Sequence, residues 1–304
     1  MLFNLSEIMA SPLEWLKGLL IMLPGIMLAL SVHESAHGWV AERCGDDTAR
    51  LMGRITLNPL KHIDPLGLAM MFLAGFGWAK PVPVNPLKYK NYRSDDLKVS
   101  LAGITANLCL FFVCFLVLAL IFSSALAKLP EYDSFRDGWD NETGKAFVYS
   151  QNGSRYIEFL DGGTWYYIKA DNFFTYTYFS GIMYIDDPMT NYLIPSTLGT
   201  FVAVIYQMVA YCMIINIGLA VFNLIPVPPF DGYHVLNDIV LHQDLFAQQR
   251  TANISRMVLF GLIILGNYNP NLDIIGKLLD WTRSGLINSL LAGLKLILSG
   301  AGLV

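Results

Sequence analysis

Residues Val99 to Leu126 read VSLAGITANLCLFFVCFLVLALIFSSAL, without a single charged side chain. Crossing the hydrocarbon core of a bilayer, about 30 Å, takes roughly 20 apolar residues as a helix. In lipid the backbone polar groups must be satisfied within the chain, so such a run commits the fold to membrane-spanning helix. Two further runs qualify, from about Leu16 to Val40 and from about Leu198 to Ile225. Hydrophobic residues make up 54% of the 304-residue chain and charged residues only 14%, against about a quarter in soluble domains. A disordered chain or an ordinary cytosolic enzyme is therefore excluded. The net charge of −4 offers no basic face, so no nucleic-acid partner is expected and the lipid bilayer is the expected surrounding.

The stretch before Lys17 contains Glu7 and Glu14 but no base, so it lacks the positive start of a cleavable signal and the first span is expected to be retained. Cys109, Cys114 and Cys212 lie in apolar runs and Cys44 stands alone, so neither a thiolate zinc knuckle nor a disulfide framework is expected. Past the third run come Met257–Gly266 and Asp273–Val304, separated by GNYNPN. They read as a helical hairpin or as surface helices.

The scarce charges set an expected orientation. Nine of the 20 bases fall between spans one and two, from Arg43 to Lys98, which marks that side as cytoplasmic. The segment after span two holds five bases against ten acids and belongs outside. This external insert, residues 127–195, contains Phe147–Ser150, Arg155–Leu160 and Trp165–Ala170 joined by Asn-Gly and Asp-Gly, a pattern of strands and tight turns. It reads as a small β-meander packing on itself or at the headgroups, with a partner-binding role as the alternative. In the cytoplasmic loop, Pro59, Pro65, Pro81, Pro83 and Pro86 prevent a continuous helix. Phe72–Asn85 reads as a re-entrant apolar piece entering an extended edge strand, to which a substrate peptide could add as a further strand.

The end of span one carries His33-Glu34-Ser35-Ala36-His37, an HExxH pattern. Positions i and i+4 share one helical face, so both imidazoles can reach one metal ion while Glu34 is placed to act on water. Two His and one further ligand are the usual set of a catalytic zinc, which keeps an open position and lowers the pKa of water there to about 7. Ionisable groups at this depth are costly and are functional by default. A water-lined structural cluster is the weaker alternative. For the third ligand, Asp231 lies at the matching depth after span three, in NLIPVPPFDG, and Gly232 permits a sharp turn there. His62 and His234 compete from the same side, although a lone loop histidine is more often a hydrogen-bonded structural residue.

HESAH, GWAKPVPVNP, the Gly103 to Asn107 spacing and NLIPVPPFDG, in this order, resemble the site-2 protease family of intramembrane zinc metalloproteases, closest to the minimal bacterial and archaeal type. The resemblance covers about Leu16 to Asp238 apart from the insert. It implies that His33, His37 and Asp231 bind one zinc ion, that Glu34 is the catalytic acid/base, and that a three-helix core cuts transmembrane protein segments near the cytoplasmic face of a bacterial or archaeal cell membrane. Asn107 and Asn223, polar groups inside apolar spans, would hold the substrate backbone or the oxyanion, or else join helices. Many members carry a PDZ domain where the insert stands; here a meander is expected instead.

The expected fold is thus an α-helical polytopic membrane protein. Residues 1–126 form the first two core spans and the Pro-rich loop, 127–195 the β-rich insert, 196–240 the third span with its Asp-Gly motif, and 241–304 the C-terminal helices. The alternative functions are a membrane zinc transporter and a non-catalytic zinc-binding protein. The apolar first half of span one offers no polar path for an ion, and an intact Glu34 has no purpose in an idle relative.

Overall fold

A computed structural model describes residues 11–74, 77–134, 136, 147–152, 154–161, 164–169, 194–241, 249–274 and 276–278, with 281, 285 and 289 beyond them. The chain divides into two compact units, one of residues 1–112 and 215–283, the other of residues 113–214 and 284–304.

In the first unit, helix α1 runs Pro12–Cys44. Pro12 opens it, where the missing N–H costs nothing, and Glu14 faces the positive end of the helix dipole. Gly45 closes it in the left-handed region at φ 113°, while Gly45 N–H donates to Glu42 and Asp46 N–H to Ala41. A side chain at Gly45 would meet the Lys88 carbonyl at 2.8 Å, so the returning chain requires glycine here. Pro24 lies inside the helix without ending it. Helix α2 is Thr48–Leu51 and α3 is Pro65–Ala74. The expected proline breaks are present, but several of these prolines also start helical turns. Pro59 and Pro86 open 3-10 turns capped by Asn58 and Asn85, and Pro65 opens α3 beside Asp64, whose Oδ1 accepts from Leu66 and Gly67.

The expected edge strand is reduced to an extended stretch. Among the described residues it pairs through one antiparallel bridge, Ile63 with Ala79, with Lys80 N–H donating to the His62 carbonyl at 2.8 Å. Residues 75 and 76 of the expected re-entrant piece lie outside the described residues.

Helix α4, Tyr92–Leu126, begins seven residues before the apolar run, with Asp95 accepting from Asn91 N–H at 2.8 Å. Helix α5 is Thr200–Asn223, followed by a turn and the short helix α6, Asp231–Leu236. A π turn, Asn237–Leu241, and helix α7, Gln249–Tyr268, come next. Among the described residues three helices, α1, α4 and α5, are long and apolar enough to cross a membrane, as their sequences predict. Helix α7 contains the whole Met257–Gly266 run. Most of the Asp273–Val304 stretch lies outside the described residues.

The second unit contains the sheet: β1 Glu131–Tyr132, β2 Phe147–Gln151, β3 Ser154–Asp161 and β4 Thr164–Lys169, in that spatial order. Strands β2, β3 and β4 form the expected antiparallel meander, and β1 adds in parallel. Asn152 takes the positive φ, 52°, that its turn requires. Tyr149 and Tyr156 stack across β2 and β3 at 5.2 Å between centroids. Glu158 is buried on β3, and burial pushes its carboxyl up to about 7 against a smaller opposing effect from Tyr149. Gly162 and Gly163 of the Asp-Gly-Gly turn and residues 170–193 of the insert lie outside the described residues.

Candidate active site

The second half of α1 carries the HExxH residues. His33 and His37 stand one turn apart with their Nε2 atoms 3.1 Å from each other. Asp231, first residue of α6, places Oδ2 3.3 Å from each of those atoms. Ligands about 2.0–2.1 Å from a tetrahedral zinc lie about 3.3 Å apart, so these three atoms already have the spacing of one face of that tetrahedron. Asp231 Oδ2 is buried and takes no hydrogen bond, as expected of an atom meant for a cation. His33, His37 and Asp231 form a group able to hold a metal ion.

Helix α4 supports this group from one stripe. The Val99 carbonyl lies 2.7 Å from His37 Nδ1. A carbonyl only accepts, so the ring proton sits on Nδ1 and the Nε2 lone pair is free. One turn on, a Cβ on Gly103 would fall 2.5 Å from His33 Cε1 and from His37 Nε2, so only glycine fits against both rings. One turn further, Asn107 is fully buried, with Nδ2 3.3 Å from His33 Nδ1 and Oδ1 unpartnered. Turning that amide over brings Oδ1 to accept from His33 Nδ1–H and frees Nε2.

Glu34 points from α1 to the extended stretch, where Oε2 accepts from Val82 N–H at 2.7 Å. The same stretch is tied down on both sides. The Arg54 guanidinium donates to the Lys80 and Pro81 carbonyls at 2.8 and 3.2 Å, and Asn85 N–H donates to Asp46 at 2.5 Å. Burial alone would raise the Asp46 carboxyl, but hydrogen bonds from Thr48 and Asn85 and the Lys88 charge hold it below the usual range. Ser35, inside the motif, donates to the Thr56 carbonyl at 2.6 Å and fastens the loop to α1. A cavity of about 360 Å³ opens beside this stretch, lined by Leu23, Met27, Ile63, Trp78, Leu219 and Phe222.

The other two candidate histidines, His62 and His234, do not join the His-His-Asp group. His62 is buried, with Nε2 2.8 Å from the Thr56 carbonyl, so it secures the loop. His234 lies on α6 with Nδ1 3.3 Å from Asp96 Oδ2, and this partner raises its pKa. Asn223 donates from Nδ2 to Leu219 within its own helix at 3.0 Å. Sequence reasoning missed the Val99 carbonyl, the Val82 amide, Arg54 and Asp96. Only Asp96 left a signal, since 96, 99, 103 and 107 fall on one helical face.

Residues 21–266 match the family model for peptidase family M50. YwhC of Bacillus subtilis, a protein named as a zinc metalloprotease, is 31% identical over 229 residues, which is 75% of this chain and 72% of that one. Rip2 of Mycolicibacterium smegmatis, also so named, is 34% identical over 104 residues, 33% of this chain and 40% of its own. Rip2 of Mycobacterium tuberculosis is 31% identical over 122 residues, 39% of this chain and 47% of its own. No solved structure matches. With its zinc-spaced histidines and aspartate and its three apolar helices, the chain belongs to peptidase family M50, the site-2 protease family, and is a membrane zinc metalloprotease.

Proposed function

We propose that this protein hydrolyses peptide bonds of transmembrane protein segments, near the cytoplasmic face, with His33, His37 and Asp231 as the zinc ligands and Glu34 as the acid/base. The observation that carries this reading is the 3.1–3.3 Å triangle of Nε2, Nε2 and Oδ2, whose two histidines stand on α1, a helix long and apolar enough to lie in a bilayer. Zinc, when bound, supplies a Lewis acid for the scissile carbonyl and lowers the pKa of water. Glu34 takes the proton from the attacking water and delivers it to the leaving amine. Val82 N–H holds that carboxylate in place, and the Val99 carbonyl and Asn107 hold the two rings.

A helical substrate hides its amides in internal hydrogen bonds and must unwind to be cut. The stretch from Trp78 to Asn85 is already extended beside Glu34, and the adjoining apolar cavity suits a side chain of a membrane-spanning segment. Asn107 serves His33. The cytoplasmic location is supported by the nine bases between the first two spans.

Glu34→Gln tests the assignment. The purified variant should retain zinc at one ion per chain by elemental analysis, while cleavage of a single-span substrate falls to the rate without enzyme. Cleavage at the rate of the unaltered protein would remove Glu34 from the mechanism.

A further inference from the structure

Asp231 is delivered to the two histidines by a helix of only six residues, α6. Its entry is tightly built, because a Cβ on Gly232 would collide with the Leu224 carbonyl. Packing at that turn fixes one end of α6. The other end carries His234, one turn beyond Asp231, and the π turn after it carries Asp238. His234 reaches Asp96 of α4. His234 Nδ1 lies 3.3 Å from Asp96 Oδ2. Asp238, like Asp96, is 8% exposed, and its carboxyl is raised first by burial and next by the Asp96 charge. Asp96 thus accepts from His234 of the segment that begins with Asp231.

Asp96 opens the same α4 stripe whose Val99, Gly103 and Asn107 touch His37, both rings, and His33. The stripe therefore meets each of the two ligand-bearing segments, α1 directly at the rings and α6 through Asp96. We infer that Asp96 is a positioning residue for the metal centre: through His234 it sets the distance of Asp231 from the two histidines. His234 is then part of this clamp rather than a competing ligand. The inference rests on the assignment of Asp231 as a zinc ligand.

A double-mutant cycle on the full-length protein in detergent separates the two, with zinc affinity read by chelator competition. Asp231→Ala should weaken zinc binding strongly; unchanged affinity would overturn the ligand assignment and this inference with it. Asp96→Ala should weaken zinc binding about tenfold, the low end for losing a supporting partner of a metal site. In the Asp231→Ala background, Asp96→Ala should change the affinity less than twofold, because the residue it positions is gone. Wild-type affinity in Asp96→Ala, or the same tenfold loss in both backgrounds, overturns the positioning role while leaving Asp231 a ligand. Asp96→Glu, which keeps an acceptor for His234, should recover most of the affinity. Where Asp96→Ala does not fold, His234→Ala replaces it in the cycle, with the same non-additivity required.

Discussion

The two halves of α1 are both helical but differ in what they present to their surroundings. From Pro12 to Leu30 the large side chains Leu13, Leu16, Leu20 and Leu28 are exposed on the helix surface, as suits lipid, while Leu19, Met22, Gly25 and Ala29 are buried. From Ser31 to Cys44 the buried positions are Ser31, His33, Ser35, Gly38, Ala41 and Cys44, all small or polar. Lipid tails are as apolar as leucine, so burying leucine between helices gains little in a membrane. Close approach and hydrogen bonds must hold such helices together. The second half supplies both. Gly38 admits Ala49, Ile55 and Val82 to within 3.0–3.2 Å of where a Cβ would stand, while Ser35 and His37 bond to Thr56 and Val99. The first half is specified by its solvent, the second by its neighbours, and catalytic residues belong in the second kind of environment.

That contrast breaks most sharply at Gly103. Gly103→Ala puts a methyl 2.5 Å from His33 Cε1 and His37 Nε2, and neither helix can retreat without losing the Val99 or Asn107 contact. We expect zinc affinity to fall about 100-fold, as for the more severe losses of supporting contacts at metal sites, and cleavage to fall with it. Chelator competition measures this directly. Unchanged affinity would mean that the α4 stripe does not press on the rings.

Asp46, just past the end of α1, comes next. It is fully buried and accepts from Thr48 N–H, the Thr48 hydroxyl and Asn85 N–H. Asp46→Ala leaves two backbone donors without their acceptor and should cost about 3 kcal/mol. Hydrogen exchange at the Asn85 amide should rise accordingly. The depressed carboxyl also fixes a pH dependence. Its native pKa lies below the unfolded value, so its stabilisation is present above about pH 4 and is lost as pH falls through the lower, native value. Protection of the Asn85 amide should therefore decline on the acid side in the native protein, and show no such decline in Asp46→Ala.

Much of this was legible from residue types. The three spans follow from length and hydropathy, the meander from Asn-Gly and Asp-Gly between aromatic runs, and the histidine pair from its i, i+4 spacing. Asp231 ranks above His62 and His234 by its depth after span three, the turn that Gly232 permits and the donor set it completes, and not by spacing alone. Their separate partners, Thr56 and Asp96, depend on how the loop and α6 are folded. The Val99 carbonyl and the Val82 amide were invisible for a deeper reason: every residue carries those atoms, so no choice of side chain announces them. Hydropathy also hides the start of α4, since Tyr92–Lys98 is helical through capping rather than apolar character. Prolines were read as breakers, whereas Pro59, Pro65 and Pro86 begin turns because a first-turn N–H has no partner to lose.

The smallest effect is expected in the first half of α1, at Leu20, which is 58% exposed. In a soluble core, Leu→Ala costs about 2–5 kcal/mol, because the side chain leaves an apolar interior and a cavity remains. At Leu20 the same truncation removes atoms that face lipid in the folded protein and still face lipid when the helices separate within the membrane. The transfer term cancels and no cavity forms, so Leu20→Ala should lie within about 0.5 kcal/mol of the unaltered protein, with zinc affinity and cleavage unchanged. Reversible unfolding in bilayer-mimicking micelles measures the first, chelator competition the second. A loss of 2 kcal/mol or more would show that Leu20 packs against protein, and the first half of α1 would then be specified by neighbours as the second half is.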